Sequence, residues 1–461
     1  MPEKTIFLTV SRGMIARNFL LHDLYRILRE QYHVVILTPA AHDPDFLKAF
    51  SHPNVEFVEL KEYPWGPGER ISTTVLKYLM LSDSVILFSL YGIPNIVPRS
   101  RFYWLKYAVC MVLCKPLSKI HGLKAIVRFL DDHLTQRTFV RELRQLIRQK
   151  NPAFILSLNV TSDRETALAK AARREQVPVW SMPKSWDNLD NTCFRIKTEK
   201  LLLWNEFMKE QALNLQGYTG TEVEVVGIPQ FDIYRDPSRL QTREAFCASV
   251  GLDPTKKIIL FASEGKGVPG DPVIAQILID FLRTHRYAVP AQLFIRPHFA
   301  YKGEVNRFTR FVGIPGVFVD TFFKASPSFK DSWDYSETFT NRLINTLYHA
   351  DVVINTISTI SLDVGIFDKP IVSIGFDQIP PLPYEKSVLR WYGTDHSKEL
   401  MRTGGLRMVH DDKELLAAVN MYLTDPTVDA AGRERLRARL CGPLNEGIGK
   451  RLAERIIERV G

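Results

Sequence analysis

Residues 351–375 read DVVINTISTISLDVGIFDKPIVSIG. A β-branched run, DVVINT (351–356), gives way to a hydroxyl-rich turn, a segment of short-helix length and a second apolar run, PIVSIG (370–375). Strand, turn, helix and strand in this order is the unit of a parallel sheet, because a parallel neighbour is reached only through a crossover. Ser358, Thr359 and Ser361 fall where the helix begins, so their hydroxyls and the first free N–H groups suit a phosphate. The same residues equally suit ordinary N-capping. Asp363, one turn in, is placed to accept from ribose hydroxyls.

Working outward, the same pattern recurs. Upstream lie KKIILFAS (256–263), AQLFIRP (291–297) and GVFVD (316–320), and downstream LRMVH (406–410). FASEGKGV (261–268) follows the first of these runs, and its Ser263, Gly265, Lys266 and Gly267 form a flexible, cationic loop that matches neither a Walker motif nor GxGxxG. LFIRPHF (293–299) ends the next run with Arg296 and His298. Three strand ends thus carry phosphate-compatible groups. The first half of the chain repeats the rhythm with TIFLTV (5–10), HVVILT (33–38), VEFVEL (55–60), AFILSL (153–158), VPVWSM (177–182), KLLLW (200–204) and VEVVG (223–227). Segments with apolar residues three and four apart separate several of them: ARNFLLHDLYRILRE (16–30), FVRELRQLIRQK (139–150) and SDRETALAKAARREQ (162–176). The turn-rich VGIPQFDIYRDPS (226–238) divides the two sets.

The expected fold is therefore α/β, with two doubly wound Rossmann-like domains facing each other across a cleft. Their expected bounds are residues 1–232 and 233–428, followed by charged helices over 429–461. Ligands of such sheets bind beyond the carboxyl ends of the strands. In the first domain this directs attention to KSWDN (184–188) after VPVWSM, and to SRGMIARN (11–18) after the first strand. Asp187 is the candidate base for an acceptor hydroxyl, with Lys184 and Asn188 holding the acceptor and Trp186 stacking on a sugar face. The competing reading closes an Asx-turn with Asp187 and Asn188 and buries Trp186. Gly13 would admit close backbone approach, and Arg12 and Arg17 would bind an acceptor phosphate or carboxylate.

Composition bounds the classes. The 461 residues are 45% apolar and 24% charged, an ordinary globular balance. A net charge of +9 favours acidic partners. The five cysteines form no CxxC pair and no pattern with histidines, so neither a disulfide framework nor a structural zinc is expected. MPEKTIFLTV begins as a strand, not as a signal peptide, and a cytoplasmic protein is expected. Asp43-Pro44-Asp45 is the one D-x-D, read as a solvated turn and given no metal. From Ile86 to Leu130 there is no Asp or Glu, while basic residues from Arg99 to Arg128 interleave with aromatics. That suits an anionic membrane surface, or a buried helix with a basic edge. No nucleic-acid module accompanies the charge.

The S-T-x-S-x-D turn, the short helix ending in Asp-Lys-Pro and the earlier Arg-Pro-His together resemble the donor site of GT-B glycosyltransferases. The branch containing polyglycerol-phosphate transferases, capsule sugar transferases and non-hydrolysing UDP-N-acetylglucosamine 2-epimerases is the most similar. KSWDN, LWNEFMKEQA (203–212) and VVGIPQFDIY (225–234) resemble surface-carbohydrate proteins of this type. The resemblance implies Ser358 and Thr359 at the donor phosphates, Asp363 near the ribose, His298 at the phosphate or reacting centre, and a return of the charged helices over 429–461 to the first domain. It further implies a metal-independent, inverting transfer from a nucleotide sugar to a glycan or lipid-linked acceptor, without a cofactor, at the inner face of the plasma membrane. Alternatives are transfer of a polyol phosphate from a CDP derivative, 2-epimerisation, and nucleotide-sugar binding without turnover. FASEGKG stands where the epimerases carry a His- and Arg-rich motif, and His298 is followed by Phe299 where the polymer transferases carry proline.

Overall fold

A computed structural model describes residues 4–92, 100–120, 122–300, 303–324, 326–377, 382–444 and 447–461. Among them are two parallel sheets. The first contains β1 (Thr5–Thr9), β2 (His33–Thr38), β3 (Val55–Glu59), β4 (Phe154–Ser157), β5 (Val179–Ser181), β6 (Lys200–Leu203) and β7 (Val223–Val225), in the order β3-β2-β1-β4-β5-β6-β7. The second contains β8 (Lys257–Ala262), β9 (Ala291–Arg296), β10 (Val317–Val319), β11 (Val352–Asn355), β12 (Ile371–Ile374) and β13 (Arg407–Val409), in the order β10-β9-β8-β11-β12-β13. In each sheet the chain builds one edge, returns to the middle and builds the other. The reversal falls between β1 and β4, and between β8 and β11. These are the positions where an open α/β sheet leaves a crevice for ligand.

Helices cover both faces, which is why the central strands are unbroken apolar runs instead of alternating ones. Every residue of β4, β9, β11 and β12 is buried. Two departures from the expected pattern bear on the site. Residues 16–30 do not form one helix: a short turn at Gly13–Ile15 runs into a π-helical turn at Ala16–Leu20, and a regular helix starts only at Asp23–Gln31. The wide turn rotates Arg17 and Asn18 inward, and both are buried. Between β3 and β4 the crossover is enlarged by the helices Pro67–Met80, Asp83–Tyr91, Arg101–Leu117 and Leu123–Leu134, ahead of Arg137–Lys150.

The last two helices tie the sheets together. Ala430–Leu440 packs against Ile360–Ile366 and Glu206–Asn214, and Ile448–Val460 packs against Asp23–Gln31. Asp232 accepts from the Ile448 and Gly449 N–H groups at 2.8 and 2.7 Å, fixing the start of the final helix. Gly442 makes the crossing possible: its φ is +76°, and a Cβ there would lie 2.0 Å from the Trp204 carbonyl oxygen.

Candidate active site between the two sheets

The carboxyl ends of the strands border a cavity of about 610 Å³ lined from both halves of the chain. Arg17, Lys184 and Asp187 line it from the first half, and Glu264, Arg296 and Asp363 from the second. One rim is made by the irregular segment after β10. Asp331 accepts from Gly13 N–H at 2.8 Å, Ser328 donates to Asp43 at 2.8 Å, and Phe329 and Tyr335 pack edge-on to Phe46. The other rim is ionic. Asp190, fully buried, accepts from the backbone N–H and Nδ1 of His396 at 3.0 Å each, and Lys398 meets Asp83 at 2.6 Å. Burial opposes protonation of His396, but Asp190 more than offsets it and raises the imidazole pKa.

The wall combines cations with carboxyls driven toward their neutral forms. Arg17 lies with its guanidinium 4.8 Å from the Trp333 ring centre, and its Nε donates to Asn18 at 3.0 Å. Arg296 donates to Asp320 at 2.6 Å between Phe299 and Phe339, and its buried Nη2 has no hydrogen-bond partner among the described residues. Burial lowers the Lys184 pKa; Arg12 adds to this, while Asp187 and Asp331 oppose it. Burial pushes Glu264 up to about 8, opposed by the Ser358 hydroxyl and reinforced by Asp271 and Asp187. Asp363 is pushed up to about 7 by burial, against the nearby charge of Arg17. At neutral pH Glu264 is therefore mostly protonated and Asp363 only partly ionised, which lessens the negative charge facing Arg17 and Arg296 and favours an anion there.

Several expected site residues line this cavity: Arg17, Lys184, Asp187 and Asn188 on one side, with Ser263, Arg296, His298, Ser358, Thr359 and Asp363 opposite. Their partners change several of the expected roles. Trp186 has no surface for stacking on a sugar: it is buried in the core, and its indole N–H donates to Thr359 Oγ1 at 3.1 Å. Asp187 does stabilise a turn, accepting from Asn188 and Asn191 at 3.3 and 3.1 Å, yet its carboxylate still faces the cavity. Ser361 is buried and accepts from Asn355 at 3.0 Å, so it does not reach a phosphate. Ser263 donates to Asp271 at 2.5 Å and accepts from Gly265 N–H at 3.0 Å, which engages both residues within the loop.

Lys266 is exposed and does not line the cavity. Arg12 and Gly13 lie outside it as well. The close approach that Gly13 permits is to protein, since a Cβ there would sit 2.8 Å from the Trp333 carbonyl oxygen. Asp363 already accepts from Gln230 at 2.9 Å. Burial, aided by Arg296, lowers His298 to about 4, so its ring is neutral near pH 7 and supplies no charge to a phosphate. Asp43 and Asp45 form no metal pair: Asp43 caps the helix Pro44–Phe50 and Asp45 pairs with Lys324 at 2.7 Å.

Glu264, Gln230 and Trp333 are among the cavity residues that sequence reasoning passed over. Glu264 sits in the FASEGKG loop directly after β8, so its position at a central strand end was the available signal. Trp333 had none, because SFKDSWDY (328–335) has neither helical nor strand period.

No protein-family model matches the sequence, and a search of curated proteins finds no match. Solved structures do share the backbone. The UDP-GlcNAc 2-epimerase of Neisseria meningitidis bound to UDP-GlcNAc is 10% identical, with 99% of each chain covered and a TM-score of 0.56. The UDP-GlcNAc 2-epimerase of Methanocaldococcus jannaschii is 12% identical over 98% of this chain and 99% of its own, at 0.54. A glycosyltransferase from Rickettsia africae is 10% identical over 100% and 99%, at 0.51. The two sheets, the cleft between them and these neighbours define a GT-B fold. The expected α/β architecture of two facing Rossmann-like units is the observed one.

Proposed function

We propose that this chain is a nucleotide-sugar enzyme, and that it transfers the sugar to an acceptor hydroxyl in the cavity. The observation that carries the reading is the electrostatic division of the wall. Arg17, Arg296 and Lys184 surround a space in which Glu264 and Asp363 are held near neutrality, while Asp187 faces them from the other sheet. A donor diphosphate is accommodated by the cations. Asp187 takes the proton of the acceptor hydroxyl, the acceptor oxygen bonds to the anomeric carbon, and the bond from that carbon to the phosphate oxygen breaks. Protonated Glu264 donates a hydrogen bond to the departing phosphate, whose charge the arginines stabilise. Attack from the side opposite the leaving group inverts the anomeric centre. A surface glycan or a lipid-linked glycan is the acceptor class this reading favours.

A second reading is 2-epimerisation of a nucleotide sugar. It is favoured by the names of the neighbouring structures, one of which holds UDP-GlcNAc, and by the presence of a proton donor and a carboxylate in one cavity. The two readings separate in one assay. A transferase releases nucleoside diphosphate only when acceptor is present. An epimerase alters the sugar with the nucleotide still attached and no acceptor added. Release of nucleotide without altered sugar, dependent on acceptor, is the expected result; altered sugar without acceptor would replace transfer with epimerisation.

A further inference from the structure

The helices Arg101–Leu117 and Leu123–Leu134 present apolar residues to water. One face of the first helix is covered: Tyr107, Cys110, Met111 and Cys114 pack on Val75, Tyr78 and Leu79. The opposite face is also apolar yet open, with Phe102 76%, Leu105 62% and Val112 73% exposed and Val109 beside them. These positions recur three and four apart, so they form one stripe. The second helix adds Ile126, Phe129 and Leu130, with Phe129 63% exposed. Scattered exposed leucines are ordinary in soluble proteins, but large apolar side chains lined along two successive helices mark an interaction surface.

The charge around the stripe selects the occupant. Arg101, Lys106, Lys115 and Lys119 are exposed, and residues 86–130 contain no carboxylate. Two other basic residues of this stretch point inward: Arg128 donates to the Phe194 and Gln216 carbonyls, and Lys124 to the Leu215 carbonyl. Arg99 lies outside the described residues. A second copy docked face to face would set these lysines against themselves with no acid to answer them. A layer combining apolar depth with negative charge satisfies both features. Among the described residues no helix is long and apolar enough to cross a membrane, so the geometry is that of a surface contact.

We propose that this helical pair docks the protein on an anionic phospholipid bilayer, with the stripe entering the headgroup boundary and the lysines meeting lipid phosphates. The neighbouring helices Pro67–Met80 and Asp83–Tyr91 carry Lys77 and Phe88 to the cavity wall, so docking would hold the cavity close to the bilayer. The inference rests on the surface and not on the reaction assigned above, since nucleotide binding in free solution is measured separately.

The test is co-sedimentation of the full chain with vesicles of phosphatidylcholine alone or mixed with phosphatidylglycerol. Binding to the mixed vesicles, weakened by salt, is expected. Leu105→Asp/Val112→Asp should reduce the bound fraction at least tenfold, with the melting temperature and nucleotide binding unchanged, because both side chains already lie in water. Should that variant fold poorly, Lys115→Glu/Lys119→Glu gives an independent test and should abolish the preference for the anionic mixture. Wild-type protein remaining in the supernatant with both vesicle types would overturn the proposal. So would a solution dimer that Val112→Asp dissociates, since a second copy would then occupy the face.

Discussion

Glu264 and Asp187 stand on opposite walls of one cavity, and each supports a separate expectation. Asp187→Asn preserves size and keeps one of the two oxygens that accept from Asn188 and Asn191, while it removes the basic carboxylate. Turnover should fall by about 10²–10⁴-fold while donor affinity stays within a factor of about two. Turnover near wild type would remove Asp187 from the chemistry. Glu264 has a folded pKa of about 8, above its ordinary 4.5. Its contribution to stability is complete below pH 4.5 and is lost as pH rises through 8, because the folded state retains a proton that the unfolded chain releases. Asp363 and Asp271, both raised to about 7, slope in the same direction over a lower window. Urea midpoints at pH 5.5, 7 and 8.5 should therefore fall for the wild type, and fall less steeply for Glu264→Gln between pH 7 and 8.5. Identical slopes would place Glu264 in water. At this scale the sequence was partly legible. The strand ends pointed to Arg296 and Ser358, whereas the capture of Trp186 by Thr359 depends on a contact between distant segments that no local pattern encodes.

Among the elements, the helical insertion is fastened to the first sheet by a buried ionic network. Asp131 accepts from Lys170 at 2.6 Å and from Arg195 at 3.1 Å, and Arg195 also reaches Glu69 at 2.7 Å and Asp163 at 3.2 Å. Lys170, Asp131 and Glu69 are fully buried. Such a network fixes geometry more than it adds stability, but removing one partner leaves the others charged and unpaired. Arg195→Met should cost about 3–5 kcal/mol in urea denaturation; a loss under about 1 kcal/mol would show that water replaces the guanidinium. Of the three segments with helical spacing, 139–150 and 162–176 correspond to the helices Arg137–Lys150 and Asp163–Arg174, whereas the four helices of the insertion were not read from spacing. The π-helical turn at Ala16–Leu20 was not readable either, because its wide turn follows from turning Arg17 and Asn18 into the cleft and not from a breaker residue. The segment after β10 was equally silent. Its Phe329 and Tyr335 find their partners in Phe46 and Phe50, far away in the chain.

At the scale of the molecule, the two sheets were legible because buried parallel strands leave continuous β-branched runs, and such runs alternate with helical segments throughout. Their facing arrangement was expected from where ligands bind in such sheets, and the return of the last helices from the resemblance alone; the contacts that hold it, such as Asp190 with His396 and Ile448–Val460 on Asp23–Gln31, follow from no local pattern. Both bear on the central claim, that a nucleotide-activated sugar binds across the cavity. The most direct test is thermal unfolding of the full chain with UDP-, GDP-, CDP- and CMP-linked sugars, in wild type and in Arg17→Ala. A ligand that binds only the folded state stabilises it by about 2.7 kcal/mol at a hundred times its Kd. One nucleotide class should raise the wild-type melting temperature in a saturable manner, and Arg17→Ala should lose most of that shift. Unchanged melting temperatures with all four classes at millimolar concentration would contradict the account.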